Sequence, residues 1–131
     1  MITKKIAIIE DDQVIAEMYR MKFEVENFEV EVAANGRLGV ELVESMQPDM
    51  ILLDIQMPEM NGEEALRKIR GHEWGKHIPV MVLTNLGEEE APKGLKQLDV
   101  ISYIVKADLT PSQVVKRVKE FLLPETTAQA A

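Results

Sequence analysis

The sequence contains no cysteine. Disulfides and thiolate metal sites are therefore excluded, and a reducing, cytoplasmic setting is expected. Positive charge is scarce: 15 Lys and Arg face 23 Asp and Glu, for a formal net charge of -8. Nucleic-acid backbones demand a basic face, so no direct nucleic-acid partner is expected. No apolar run approaches the roughly 20 residues of a membrane span. The first residues, MITKKIAIIEDD, also lack the apolar core and cleavage site of a signal peptide, so no membrane partner is expected. Linkers and internal repeats are missing too. What is present is 131 residues, enough for one domain with a core of its own. Residues 1–123 carry the periodic pattern. The tail 124–131 has little to bury and is expected to be disordered.

Strand and helix patterns alternate five times. Lys5 to Ile9 is an apolar strand that ends at Glu10, Asp11 and Asp12. From Gln13 to about Glu26, Val14, Ile15, Met18, Met21 and Phe23 recur at near-helical spacing, with Asp12 as the helix cap. Phe28 to Ala33 alternates apolar and acidic residues, as an edge or half-buried strand does. Asn35 and Gly36 turn the chain into a second helix carrying Leu38, Val40, Leu42 and Val43. Met50 to Leu53 is an apolar run without polar alternation, which suits a strand covered on both faces. Pro58 to Gly62 is turn chemistry in which Pro58 fixes φ and Asn61-Gly62 tolerates φ > 0, and it opens a third helix to Ile69. Pro79 to Leu83 is a fourth buried strand. Gly87 to Leu98 is a helix weakened by Pro92 and Gly94, and Ile101 to Val105 is a fifth strand. Thr110, Pro111 and Gln113 cap the last helix, whose apolar face holds Val114, Val115, Val118, Phe121 and Leu122. The eight Met are read as core filler, and His72 and His77 as surface residues.

Five strand-helix units with short loops imply a doubly wound α/β fold, a parallel five-stranded sheet with five helices on its two faces. The C-terminal strand ends then gather at one edge, where open α/β sheets bind ligands. At that edge stand Glu10 and Asp11, Asp54, Thr84 and Lys106. Asp54 alone could be a turn or cap residue, but three carboxylates, a hydroxyl and a lysine on one rim point to chemistry. A hard divalent cation, Mg²⁺ foremost, relieves the repulsion among the carboxylates. Asp54 can then serve as metal ligand and as nucleophile toward a phosphoryl group. Lys106 supplies a cation for a phosphoryl oxygen, and Thr84 supplies a hydroxyl donor.

These residues, together with PDMILLDIQMPEMNG, VMVLT and SYIVK, closely resemble a receiver domain of the two-component response regulators, of the single-domain type. The resemblance covers about Lys4 to Leu123. It implies a flavodoxin-like fold with strand order 2-1-3-4-5. It also implies Asp54 as phosphoacceptor, a metal site of Glu10, Asp11, Asp54 and the Gln56 backbone carbonyl, and catalytic roles for Thr84 and Lys106. Tyr103 matches the aromatic position that, with Thr84, switches on activation. Implied partners are a histidine kinase or histidine phosphotransfer protein. The implied output is a shift of the face made by the fourth helix, fifth strand and fifth helix, with a phosphorylation-dependent homodimer as one consequence. The chemistry would be self-catalysed phosphoryl transfer and autodephosphorylation, not turnover of a separate substrate.

Two positions depart from the family pattern. Ala107 follows Lys106 where the family usually has a cis proline, so a trans bond is expected, cis before a non-proline costing about 3 kcal/mol. Asn85 follows Thr84 where the family usually has Ala, Ser or Gly, and its bulk is expected to restrict the phosphoryl site. Two other classes compete with this reading. A Mg²⁺-dependent hydrolase or nuclease would want a second carboxylate where Gln56 stands. A phosphorylation-independent interaction scaffold would not need the intact rim, and Ala107 is its best support.

Overall fold

A computed structural model of the chain describes residues 3–123. The tail 124–131, expected to be disordered, lies outside the described residues. The elements are β1 (Lys5–Ile9), α1 (Gln13–Val25), β2 (Glu29–Ala33), α2 (Gly36–Met46), β3 (Met50–Leu53), α3 (Gly62–Arg70), β4 (Val80–Thr84), β5 (Val100–Val105) and α4 (Pro111–Leu122). All strands are parallel, in the order β2-β1-β3-β4-β5. β2 is thus an edge, which explains its alternation: Glu29 and Glu31 are exposed while Val30 is buried.

The central strands are apolar throughout because both of their faces are covered. Ile6, Ile8, Leu52, Met81 and Leu83 pack with Tyr19, Phe23, Val114 and Val118 of α1 and α4. Their strand neighbours Ala7, Ile9, Ile51, Leu53 and Val82 pack on the opposite face with Val43, Leu66 and Ile69 of α2 and α3. Successive strand residues point to opposite faces, so one sheet serves two cores. The helices start where side chains satisfy their first N–H groups. Asp12 accepts from Val14 and Ile15, and Asn35 from Leu38. Asn61 with Glu64, and Thr110 with Gln113, form reciprocal capping boxes.

The structure differs from the sequence pattern at several points. The positive φ in the loop after β3 belongs to Glu59 (65°), not to Asn61-Gly62; Asn61 is an extended cap at φ -74°. Gly62 is required for a different reason, since a Cβ there would collide with the Asp54 carbonyl. On α1, Val14, Met18 and Met21 face outward, 81%, 37% and 60% exposed, and Tyr19 takes the core position instead. The methionines therefore divide, with Met50 and Met81 buried and Met18 and Met21 at the surface. Phe121 is likewise 45% exposed, outside the apolar face of α4.

The fourth crossover is helical in the tighter 3-10 form, over Glu88–Glu90 and Lys93–Leu98. Pro92 separates the two pieces. It has no N–H to give, and it drives Ala91 before it into the extended region (ψ 143°). Gly94 brings the second piece against α3, where the ends of the Glu63 and Arg67 side chains lie over it. Arg70, at the end of α3, then fastens that piece, donating to the carbonyls of Leu98 at 2.8 Å and Asp99 at 3.3 Å.

Candidate functional site

The right-handed crossovers bring the C-terminal ends of β1, β3, β4 and β5 to one edge. The ladder continues one residue past β1 and β3: Glu10 N–H donates to Ala33 O at 3.0 Å, and Asp54 N–H to Ile9 O at 3.0 Å. Glu10 and Asp54 are thereby held side by side, 5% and 6% exposed. Asp11, one residue beyond the ladder, is exposed. Glu10, Asp11 and Asp54 each offer an oxygen within 4.8 Å of the others. Three hard oxygen donors converging on one point, two of them buried, fit a cation such as Mg²⁺.

Lys106 balances this charge. Its Nζ donates to Glu10 Oε1 at 2.5 Å and lies 3.5 Å from Asp54 Oδ2. No cis peptide bond occurs among the described residues, so Lys106–Ala107 is trans, as Ala107 predicts. The lysine reaches the rim from the first position of a 3-10 turn, Lys106–Asp108. Asp54 Oδ1 accepts the Ile55 N–H at 2.7 Å and, more weakly, that of Gln56 at 3.4 Å, which leaves Oδ2 turned toward Lys106.

The cluster perturbs its own protonation. Burial, reinforced by the Asp54 carboxylate, raises the Glu10 pKa from 4.5 to about 7 against the pull of Lys106 and the Asp12 N–H. Burial works to discharge Lys106, but the Glu10 and Asp54 carboxylates outweigh it and hold the ammonium above its usual range. Lys106 therefore stays charged, and the Glu10 carboxyl is harder to ionise than a free glutamate.

Glu10, Asp11, Asp54, Gln56, Asn85 and Lys106 line one cleft of about 260 Å³. Asn85 thus stands where its bulk was expected to matter. Thr84 sits below the cleft, fully buried, and its Oγ1 accepts the Leu86 N–H at 3.3 Å. Tyr103 is half-buried behind the same loop, donating its hydroxyl to Leu86 O at 2.9 Å. Burial and the carboxylates of Glu88, Asp54 and Glu90 push its pKa up. Leu86 therefore joins Thr84 and Tyr103 through its own N–H and C=O.

Two participants escape the sequence reading. Tyr19 of α1 is 4% exposed and shares a small void with Glu10 and Asp54; its helical spacing with Ala16 and Phe23 was the available signal. Asn35 donates to Glu59 Oε2 at 3.2 Å, and Gly36 N–H to Met60 O at 3.1 Å, so the β2–α2 turn holds the loop that follows Asp54. A contact across 24 residues leaves no local signature.

The response regulator receiver domain family matches residues 6–119. The transcriptional regulatory protein SrrA of Staphylococcus aureus is 36% identical over 120 residues, which cover 92% of this chain and 48% of SrrA. The regulatory protein AtoC of Escherichia coli is 33% identical over 102 residues, 78% of this chain and 22% of AtoC. The chain thus spans less than half the length of these relatives. Among solved structures, the phosphorylated cyanobacterial phytochrome response regulator RcpA superposes with a TM-score of 0.78 at 29% identity, covering 92% of this chain and 94% of that one.

Proposed function

Because the chain belongs to the response regulator receiver domain family, we propose that it is a phosphoacceptor signalling module that takes a phosphoryl group onto Asp54. The observation that carries this reading is the joint placement of Asp54, Lys106 and the Glu10–Asp11 pair in one cleft. That a relative with 29% identity is a phosphorylated protein supports it.

With Oδ1 held by the Ile55 N–H, Oδ2 is the attacking oxygen. It forms the O–P bond as the P–N bond of a donor phosphohistidine breaks, and the electron pair leaves on the imidazole nitrogen. Lys106 moves from Glu10 to a phosphoryl oxygen, and the Thr84 hydroxyl donates to another. Glu10, Asp11 and Asp54, with the Gln56 backbone carbonyl, are the residues that would hold Mg²⁺. When bound, it offsets charge that develops on the phosphoryl oxygens. Hydrolysis of the acyl phosphate returns the site to its starting state.

The signal leaves through Leu86. Turning the Thr84 hydroxyl toward the phosphoryl group withdraws the acceptor of the Leu86 N–H, and Leu86 O holds Tyr103. The 3-10 crossover is the lightly built element that this change would bias, and it adjoins β5. A histidine kinase or histidine phosphotransfer protein is the proposed donor, the cytoplasm the proposed setting, and phosphorylation-dependent pairing through that face a proposed consequence.

The test is intact mass after incubation with acetyl phosphate. One Mg²⁺-dependent, base-labile phosphoryl adduct, absent from Asp54→Asn, is expected. No adduct with any donor would leave the phosphorylation-independent scaffold as the better reading.

A further inference from the structure

Besides Tyr19, the buried polar and charged side chains among the described residues are Glu10, Asp54, Thr84 and Asn35. The first three belong to the phosphoacceptor site. Asn35 comes from the turn between β2 and α2, and a buried amide needs a partner at each end. Its Oδ1 accepts the Leu38 N–H at 2.8 Å and caps α2. Its Nδ2 donates to Glu59 Oε2 at 3.2 Å, a bond to a charged acceptor. Capping needs only the oxygen, and Asp serves there as well as Asn. The amide nitrogen is therefore what Asn adds at this position, and the loop between β3 and α3 is what it holds.

The two residues after Asn35 hold the same loop. Gly36 N–H donates to Met60 O at 3.1 Å, and a Cβ on Gly36 would overlap that carbonyl. Arg37 Nε lies 3.9 Å from Glu59 Oε1. Glu59 has φ 65°, a conformation that a residue with a Cβ keeps only where its surroundings impose it. At the other end of the loop, the Ile55 and Gln56 N–H groups donate to Asp54 Oδ1 at 2.7 and 3.4 Å, and Gly62 N–H donates to Ile55 O at 2.8 Å. Gln56 lines the cleft with Glu10, Asp11 and Asp54, between these two anchors. Only Met57 and Pro58 separate it from Glu59.

We propose that Asn35 is a positioning residue for the metal site: its bond to Glu59 holds residues 56–59 so that the Gln56 carbonyl stays available to Mg²⁺. The proposal rests on the reading that Glu10, Asp11, Asp54 and that carbonyl hold the cation. Asn35 acts through Glu59, not on the cation itself.

An NMR titration of unphosphorylated protein with Mg²⁺, followed at the backbone amides, tests the proposal without any turnover. Asn35→Asp keeps the cap but sets a carboxylate against Glu59 in place of the donor, so the loop loses its tether. Mg²⁺ affinity is expected to fall roughly three- to tenfold, less than is typical when a group bonded directly to a metal ligand is lost. The added negative charge by itself acts the other way, since Coulomb attraction tightens cation binding. Asn35→Asp combined with Glu59→Gln reverses the direction of the hydrogen bond at the parent's net charge. That pair is expected to bring affinity back to within about twofold of the parent. Circular dichroism should show the parent's helix content in both variants, because α2 remains capped. An affinity unchanged or raised in Asn35→Asp overturns the proposal, and so does a double variant as weak as the single one. A parent whose amides do not respond to Mg²⁺ overturns the metal reading itself and the proposal with it.

Discussion

At the scale of the residue, the decisive group is Glu10. A folded-state pKa of about 7 against an ordinary 4.5 means that folding takes up a proton between those values. Where the folded state binds more protons, stability falls as pH rises. In metal-free protein the Glu10 contribution is therefore fully present below about pH 4.5 and lost as pH climbs through 7. Glu10→Gln should remove that slope, with a difference from the parent on the order of 2 kcal/mol between the two ends of the range. Urea midpoints at several pH values with chelator present would check this, and parallel profiles for the two proteins would refute it. Asn85 lines the cleft; if its bulk restricts the phosphoryl site, Asn85→Ala should speed both phosphorylation and hydrolysis of the acyl phosphate by tenfold or less, about 1 kcal/mol in each barrier. Stopped-flow phosphorylation and phosphate-release assays would show it.

At the scale of the element, the fourth crossover stands apart. Other crossovers are α-helices with side-chain caps, whereas this one is two 3-10 pieces around Pro92 with no side-chain cap on either. Arg70 is its principal tether. The guanidinium also donates to Gly75 O and Ile78 O, both at 2.8 Å, so one side chain ties α3 to the loops on either side of β4. Arg70→Ala leaves these carbonyls without their charged donor and should cost about 2 kcal/mol. Hydrogen exchange should rise most across residues 93–99, with Asp54 phosphorylation retained. An exchange pattern unchanged in that stretch would show that the crossover is held by packing alone.

At the scale of the molecule, the two cores lie on opposite faces of one shared sheet. Phe23 is fully buried in one and meets Phe28 edge-on at 5.5 Å. Trp74, the single tryptophan, packs against the other. If sheet sharing makes the domain one cooperative unit, Phe23→Ala should lower stability by about 3 to 5 kcal/mol. It should also shift the Trp74 fluorescence midpoint and the circular dichroism midpoint equally. A fluorescence transition left in place would mean that the two faces unfold separately.

The rim was legible in the sequence because parallel β-α-β units with right-handed crossovers must bring their strand ends to one edge, whatever the details of packing. Glu10, Asp11, Asp54 and Lys106 stand at the ends of apolar runs, so their meeting follows from topology, while Thr84, which ends another, is buried outside the cleft they line. The caps at Asp12 and Thr110 were legible for a similar reason, being local hydrogen bonds within a few residues. Tertiary structure alone decided the rest. Helical period marks the faces of α1, but with apolar residues on two of them it does not say which one meets the sheet; Tyr19 and Phe23 went inward and Val14 and Met21 outward. The protonation of Glu10 depends on burial and on Asp54 and Lys106, which follow β3 and β5 and are 44 and 96 residues away. The Asn35–Glu59 and Arg70–Leu98 bonds span 24 and 28 residues. Contacts between segments so far apart exist only once the sheet has assembled, and the energies that depend on them are not written in any local stretch of the chain.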